Sequence, residues 1–427
     1  MNNVKEIKSE KLQEKYYEVT HSSGLKMMIY PKKNYSSTYV IFGTRYGSID
    51  THFKLENDND FTAVPEGIAH FLEHKLFESE ELDAFERYAK TGASANAYTS
   101  FDRTCYLFSC SKNLEQNLEI LLDFVTHPYF TEATVQKEQG IIGQEIKMTQ
   151  DEPSWNLLFS LLRAMYKIHP VRIDIAGTVE SISHITADLL YKCYNTFYNL
   201  SNMAFCVVGN VDVDTVIKVA DKVLKEQRPV KIERKFFKEP KEVNQKYTEN
   251  RLAVASPIFA LGFKENISTP ERSNREIIES SIIMDIICGK TSELYNEMLE
   301  SGLINSSFEF EYFFGYGYSA AIFTGESNKA EEVKEKLIER IKELQKNGID
   351  EADFERIRRK LYGRAIMAYN DIDEIANNMI ASEFAGECVF DDIEILGTLT
   401  LEELNNRLKE SIDTECCSLS VIKPEGE

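Results

Sequence analysis

In this chain of 427 residues, the stretch His70-Phe71-Leu72-Glu73-His74 constrains the possible fold and function more than any other. If the segment is helical, its two histidines lie on one face and one turn apart. Two imidazole nitrogens at that spacing can reach one zinc ion at about 2.0–2.1 Å. The glutamate lies close to the same face, where it can take a proton from a water activated by the metal. The alternative is an amphipathic helix whose histidines hydrogen-bond in the core or face solvent.

A second helix is expected to complete the site, because a catalytic zinc site uses three protein ligands and keeps one position open. Glu138 and Glu145 are seven residues apart, two helical turns, so they share a helix face. The neighbouring Ile141, Ile142 and Ile146 indicate that this face is partly buried, and buried carboxylates need partners. We assign Glu145 as the third ligand and Glu138 as an acceptor that orients a ligand histidine. For both residues, the alternative is an ordinary solvated glutamate on a charged helix.

The two motifs in this order resemble the signature of a known family. H-x-x-E-H followed about seventy residues later by E-x-x-x-x-x-x-E is found in the insulinase/pitrilysin superfamily of zinc peptidases. The length is similar to that of the single-length branch, which includes the mitochondrial processing peptidase, and the surrounding residues look most like the bacterial YmfH-type subgroup. Weaker family stretches occur in the family's order at 38–48, 92–100, 174–182 and 202–209.

The resemblance implies an α+β fold of two domains with similar topology, each a mostly antiparallel sheet flanked by helices. It also implies that one zinc ion per chain is held by His70, His74 and Glu145, with Glu73 as the general base. The counterpart of the histidine helix in the second half, 277–288, contains no histidine, so we expect a single metal site.

The resemblance also implies where a substrate would bind. Asn96 and Ala97 fall on the family's edge strand, which pairs with the backbone of the peptide. Main-chain hydrogen bonds would then supply affinity with little demand on the peptide's sequence. The alternative for 92–99 is a loop of small residues between a helix and a strand, although small residues also permit close backbone approach to a ligand.

The C-terminal half departs from the family's pattern. Self-sufficient relatives carry an Arg and a Tyr there, which help to bind the substrate and stabilise the oxyanion. In this chain Leu299 and Asn305 stand at the matching positions, and neither can supply a cationic or phenolic donor. We favour a homologous partner chain that supplies Arg and Tyr in a homodimer or heterodimer. The other possibility is a donor within the aromatic run, namely Tyr312, Tyr316 or Tyr318.

The net charge, the apolar runs and the cysteines argue against several other classes of protein. A net charge of −21 argues against sequence-independent binding of nucleic acid, which needs a basic surface. We find no apolar run long enough to span a membrane and no apolar secretory signal at the start. The eight scattered cysteines form no C-x-x-C pair, which favours a reducing cytoplasm over a disulfide framework.

The length predicts two or more domains. The segment around 226–250 is rich in Lys, Glu and Arg and contains two prolines, which predicts an exposed linker. We therefore divide the chain into a metal-bearing peptidase domain at 1–225, the linker at 226–250, and a C-terminal domain without a metal site at 251–427.

These residues and the resemblance together predict a zinc-dependent endopeptidase. It would cleave extended, unfolded peptides inside the chamber that the resemblance implies, as the metal-bearing subunit of a dimer. Two alternatives stay open: an assembly or scaffold subunit without turnover, and a maturation peptidase dedicated to one substrate. Scaffold members of the family usually have broken metal motifs, whereas the motif of this chain is intact.

Overall fold

The computed structural model describes residues 2–80, 82–265 and 270–426, which form fifteen strands and fifteen α-helices. The strands are β1 Asn3–Ser9, β2 Glu14–Thr20, β3 Lys26–Pro31, β4 Thr38–Thr44, β5 His52–Leu55, β6 Thr62–Ala63, β7 Ser94–Thr99, β8 Thr104–Cys110, β9 Met203–Gly209, β10 Ile232–Arg234, β11 Tyr247–Leu252, β12 Ile258–Lys264, β13 Glu309–Gly315, β14 Tyr318–Glu326 and β15 Cys417–Pro424. The helices are α1 Ile68–Leu76, α2 Ala84–Thr91, α3 Leu114–Thr126, α4 Glu132–Gln150, α5 Pro153–Met165, α6 Val179–Ile182, α7 Ala187–Phe197, α8 Val213–Val223, α9 Asn274–Cys288, α10 Glu293–Glu300, α11 Ala330–Asn347, α12 Glu351–Ala368, α13 Ile372–Ala385, α14 Asp391–Thr398 and α15 Leu401–Ser411.

The described residues form two compact units whose boundaries cut across the sequence. Unit 1 is built from 1–146, 174–235 and 366–390, and unit 2 is built from 147–173, 236–365 and 391–427. Helix α13, late in the chain, therefore belongs to unit 1, and helix α5, from the first half, belongs to unit 2. These units do not follow the predicted division at 1–225, 226–250 and 251–427, because that division assumed contiguous segments.

The sheet of unit 1 places strand β7 at an edge. Its strand order is β1-β2-β3-β9-β4-β8-β7, and β3 and β9 run parallel while the other neighbours run antiparallel. A small sheet of β10, β5 and β6 accompanies it. Every residue of the central strand β9 is buried, which is typical of a strand covered on both faces.

The two faces of this sheet bury different sets of side chains. Val40 and Phe42 of β4 join the main apolar core together with side chains of α1, α3 and α7. Alternate residues point the other way along a strand, and there the Cys206 thiol of β9 meets the Met379 sulfur of α13 at 3.6 Å. Helix α13 buries Ile380 completely against this second face. The sheet is therefore covered on its second face by a helix encoded late in the chain.

The sheet of unit 2 repeats the topology of the larger sheet in unit 1. Its order β11-β15-β12-β14-β13 contains one parallel pair, β11 with β15, and its other neighbours are antiparallel. The order and directions match β3-β9-β4-β8-β7. Helix α5 packs on β12 and β15, and Gly262 of β12 lies under Met165 and Leu161. The predicted α+β fold with two sheets of similar topology is confirmed.

The predicted linker contains ordered secondary structure. Strand β10 pairs with β5 in unit 1, and β11 joins the sheet of unit 2. Within unit 2, the Glu239 carboxylate accepts hydrogen bonds at 2.8 Å from the backbone N–H groups of Lys167, Ile168 and His169, and it pairs with the buried Lys264 ammonium at 2.7 Å. These contacts lower the pKa of Glu239 although burial alone would raise it. The segment is therefore ordered and paired with both units, although none of its residues is fully buried and many are exposed.

Two further expectations concern the whole chain. All eight cysteines carry free thiols, and seven of them are buried. Among the described residues, no helix has both the length and the apolar character required to cross a membrane. The cytoplasmic location stays a prediction.

The packing of α13 gives a first testable prediction. Ile380→Ala should lower the free energy of unfolding by about 2–5 kcal/mol, because the cavity would open between a helix and a fully covered sheet. Urea denaturation followed by circular dichroism measures the change. Ile168→Ala is the matched control, since Ile168 is 48% exposed and should change the stability by less than about 0.5 kcal/mol. Equal effects of the two substitutions would contradict the structural role of α13.

Candidate metal centre

Helix α1 carries the histidine motif and begins at a glycine for a steric reason. Gly67 is the N-cap residue and has a φ of 87°, a backbone conformation that favours glycine. A Cβ atom there would also collide with the carbonyl oxygen of Ala176. Phe71 and Leu72 are fully buried in the core of unit 1. The apolar side of the helix therefore fixes its rotation, and with it the direction of the polar motif residues.

Three potential ligands converge where α1 meets α4. His70 Nε2 lies 3.6 Å from Glu145 Oε1, and His74 Nε2 lies 3.6 Å from Glu145 Oε2. One ligand atom from each residue can be chosen so that all three lie within 4.8 Å of one another. The structure thus brings together the two histidines of α1 and the glutamate of α4 that sequence spacing singled out.

The second glutamate of α4 fixes the orientation of His74. His74 Nδ1 lies 3.0 Å from Glu138 Oε1. Because an ionised carboxylate only accepts hydrogen bonds, we assign the proton of His74 to Nδ1, which leaves Nε2, on the side of Glu145, as the ligand atom. Burial acts to lower the pKa of His74, but this hydrogen bond and the nearby carboxylates raise it overall. The imidazole is thereby a stronger electron donor toward a cation.

His70 is held in its neutral form. Burial, reinforced by the proximity of His74, lowers the pKa of His70 to about 3. Its Nδ1 is buried and finds no hydrogen-bond partner among the described residues. A neutral imidazole keeps a lone pair available for a metal ion, which is the form that coordination requires.

The donor set fits a zinc ion. For ligand atoms about 2.0–2.1 Å from a tetrahedral ion, neighbouring ligand atoms lie roughly 3.4 Å apart. The observed separation of 3.6 Å between each imidazole nitrogen and the Glu145 carboxylate is close to this value. Two histidines and one glutamate, with a fourth position open, is a known set for catalytic zinc. Over the described residues, no second group of this kind was found.

Glu73 lies beside the cluster with its carboxylate almost enclosed. Its exposed fraction is 7%, and burial raises its pKa despite the opposing hydrogen bond from Thr99. The Thr99 hydroxyl donates to Glu73 Oε2 at 2.6 Å. A carboxylate with a raised pKa, next to a site for a cation, is suited to accept and return a proton.

Comparison with known proteins identifies the family. The model of the insulinase family (peptidase family M16) matches residues 62–179, and that of the peptidase M16 inactive domain matches residues 184–361. The uncharacterized zinc protease YmfH of Bacillus subtilis is 42% identical over 435 residues, which cover 99% of this chain and 100% of that protein. The chain belongs to the insulinase family of peptidases.

Two further relatives define the branch of the insulinase family. The crystal structure of an M16-like peptidase from Alicyclobacillus acidocaldarius matches with a TM-score of 0.91 and 33% identity, covering 99% of each chain. The mitochondrial-processing peptidase subunit beta of Caenorhabditis elegans is 29% identical over 206 residues, which cover 41% of this chain and 38% of that protein. The predicted resemblance to the single-length, YmfH-type branch is confirmed.

The strand predicted to bind peptides lies at an edge of its sheet, as the insulinase-family resemblance implied. Asn96 and Ala97 belong to β7, which pairs with β8 and ends the sheet. Ala97 packs against the core of unit 1, and the Asn96 side-chain oxygen accepts a hydrogen bond from the Ala97 N–H at 2.9 Å. Whether the two residues bind substrate stays a prediction.

Leu299 and Asn305, which we predicted to stand at the Arg and Tyr positions of the family, lie in unit 2. Leu299 is on α10 with an exposed side chain, and the Asn305 amide donates to Glu326 Oε2 at 3.0 Å. Neither side chain presents a cationic or phenolic group. That these two positions correspond to the Arg and Tyr of self-sufficient relatives stays a prediction.

The tyrosines considered as replacement donors have differing environments in unit 2. The Tyr312 hydroxyl donates to Glu265 Oε2 at 2.6 Å and accepts from Arg407 at 2.9 Å. Tyr318 is buried, whereas Tyr316 in the turn between β13 and β14 is partly exposed. Tyr312 is thus committed to a buried polar network, which weakens its case as an oxyanion donor.

Sequence reasoning did not single out Thr99 or Lys75. Thr99 lies two residues after Ala97 on a strand, so the two-residue period predicts that both side chains share one face of β7, but it does not indicate which helix that face contacts. The Lys75 side chain, next to the histidine motif, is completely buried and pairs with the Glu78 carboxylate. No sequence signal separates such a lysine from an exposed one on an amphipathic helix.

The contact between His74 and Glu138 generates a prediction about metal affinity. Glu138→Gln should weaken zinc binding about 10–100-fold, because the amide cannot hold His74 as a carboxylate does. Competition with a fluorescent chelator measures the dissociation constant. Glu115→Gln, an exposed glutamate in the first turn of α3, should leave it unchanged. Unaltered zinc affinity of the Glu138 variant would refute the orienting role.

Proposed function

We propose that the chain is a zinc-dependent endopeptidase that cleaves extended, unfolded peptides, with one zinc ion per chain. The observation that carries this proposal is the convergence of His70, His74 and Glu145 within 4.8 Å, beside the buried Glu73. The names of its zinc-protease relatives are consistent with it. The enclosed chamber is proposed from family membership alone.

In the proposed mechanism, His70, His74 and Glu145 hold the ion, and Glu138 keeps the His74 ring in place. The bound metal supplies Lewis acidity, which lowers the pKa of water and polarises a carbonyl group. Glu73 accepts the proton of the attacking water on its carboxylate and then delivers it to the leaving amine. The burial that raises the pKa of Glu73 favours this return of the proton.

The free side of β7 is the proposed docking edge for the peptide. A peptide in extended conformation can add to this edge as a further strand, with Asn96 and Ala97 in contact with its backbone. The position of β7 at the end of the sheet supports this arrangement. Because main-chain hydrogen bonds dominate, the expected substrate class is defined by extended conformation more than by sequence.

A homologous partner chain is proposed to complete the active site. The Leu299 side chain has no hydrogen-bond donor, and the Asn305 amide donates to Glu326. Tyr312 is engaged with Glu265 and Arg407. Oxyanion donors usually contribute strongly to peptide hydrolysis, so a metal-bearing chain without them has reason to be paired. One relative is by name a subunit, the mitochondrial-processing peptidase subunit beta.

Removing the proposed base tests the chemistry. Glu73→Gln should retain zinc and reduce cleavage of an unstructured peptide library by at least about 100-fold, because general acid–base catalysis contributes 10²–10⁴-fold. Mass spectrometry of the products and metal analysis provide the two readouts. Glu80→Gln, an exposed glutamate shortly after α1, is the control. Cleavage by the Glu73 variant at the wild-type rate would mean that the mechanism is wrong.

Adding a partner tests the second part of the proposal. Mixing the chain with a homologous subunit that carries the Arg and Tyr should raise kcat by about 100-fold, the usual contribution of an oxyanion donor. The control is the same subunit with its Arg and Tyr replaced by Leu and Asn. If both mixtures cleave no faster than the chain alone, no partner of this kind is required. Stoichiometric zinc without cleavage in any mixture would instead favour a scaffold subunit.

A further inference from the structure

The carboxylate of Glu73 needs an external constraint to stay in one orientation. The terminal torsion of a glutamate is broad and has no sharp rotamer minima, so packing along the side chain leaves the carboxylate plane free to rotate. A single hydrogen bond reaches this carboxylate from the described residues, the one from the Thr99 hydroxyl to Oε2 at 2.6 Å. Oε1 is left free to exchange a proton.

The Thr99 hydroxyl is the donor in this hydrogen bond, and the Glu73 carboxylate is the acceptor. The Thr99 and Thr104 hydroxyl oxygens lie 3.3 Å apart, but the Thr104 hydroxyl donates to the Tyr46 carbonyl at 2.9 Å. A hydroxyl has one proton to donate, and an ionised carboxylate has none. The Thr99 proton is therefore directed to Glu73, whose oxygen is by far the nearer acceptor.

Thr99 is itself fixed by the turn that follows β7. The Ser100 N–H donates to the Arg103 carbonyl at 2.8 Å, and the Ser100 hydroxyl donates to Asp102 Oδ1 at 2.8 Å. The Arg103 guanidinium donates two hydrogen bonds, of 2.9 and 2.8 Å, to the Asp102 carboxylate. Such a bidentate pair has one defined geometry. The turn is thus closed by its own side chains.

The same turn is docked on the segment that follows β4. The Ser48 N–H donates to the Ser100 carbonyl and the Ile49 N–H to the Phe101 carbonyl, each at 3.0 Å. At Gly47 a Cβ atom would collide with the backbone of the turn, so the two backbones touch directly. The position of Thr99 is therefore set by the turn that follows it and by the adjacent loop.

We propose, on the basis of the function proposed above, that Thr99 is the positioning residue of Glu73. Its hydroxyl holds the carboxylate with Oε2 occupied and Oε1 directed to the reacting water. The Thr99 hydroxyl is engaged with Glu73 and Thr99 is not among the three candidate metal ligands, so its effect is expected on the chemical step and not on peptide binding. A misplaced base costs up to about 100-fold in rate.

The kinetic test compares three variants on one unstructured fluorogenic peptide. Thr99→Val keeps the branched shape and removes the donor, and it should lower kcat about 10–100-fold with KM changed less than about twofold. Thr99→Ser restores the donor and should lie within about threefold of wild type. Thr196→Val, at a buried threonine whose hydroxyl bonds only the Lys192 carbonyl in its own helix, should match wild type. All variants should bind zinc equally.

Three results would overturn the role of Thr99. These are an unchanged kcat in Thr99→Val, a loss of activity in Thr99→Ser as large as that in Thr99→Val, and a change confined to KM. Failure of the underlying function gives a different result: wild type and Glu73→Gln then cleave equally or not at all.

Crystal structures test the positioning role of Thr99 even if no peptide is cleaved. Zinc-loaded crystals of wild type should show the Glu73 carboxylate within hydrogen-bond distance of the Thr99 hydroxyl. In Thr99→Val the carboxylate plane should rotate or become disordered while His70 and His74 stay in place. An unchanged carboxylate orientation in Thr99→Val would overturn the proposal, whatever the activity of the protein.

Discussion

The hydrogen bond between His74 Nδ1 and the Glu138 carboxylate is the contact on which the site depends. It joins α1 to α4, sets the tautomer of one candidate ligand and places Glu145 opposite both imidazoles. Both helices contribute apolar residues to the core of unit 1, including Phe71 of α1 and Ile142 of α4. The burial of those side chains holds the polar contact in register, because neither helix can turn without exposing its apolar face. Packing and coordination geometry are thus fixed by the same two helices.

Much of this arrangement could be predicted from the sequence, because in a helix the interval between two residues determines whether their side chains lie on the same face. The four-residue interval of His70 and His74 and the seven-residue interval of Glu138 and Glu145 each define one helix face. The chemistry of a shared ion then predicted that the two faces meet, and they do. Thr99 escaped prediction because its importance comes from a contact across 26 residues of chain, which no local pattern encodes.

The division of the chain into units could not be predicted for a similar reason. The apolar residues of α13, such as Ile375 and Ile380, indicate that this helix is buried but not which sheet buries it. Likewise, the charged composition around 226–250 indicated exposure, whereas Glu239 is engaged by three backbone N–H groups and Lys264. The composition of a segment indicates its average exposure, whereas contacts with residues distant in the sequence determine whether an individual side chain is buried.

The assignment of α13 to unit 1 has a consequence for protein synthesis. The strands of the large sheet are complete once residue 209 has been made, yet the helix that covers one of its faces ends at residue 385. On the ribosome, that apolar face stays without its cover while the residues from 210 to 385 are translated. Unit 1 therefore reaches its final packing only late in translation, and a fragment that ends between the two halves lacks a structural part of the unit that contains the candidate metal site.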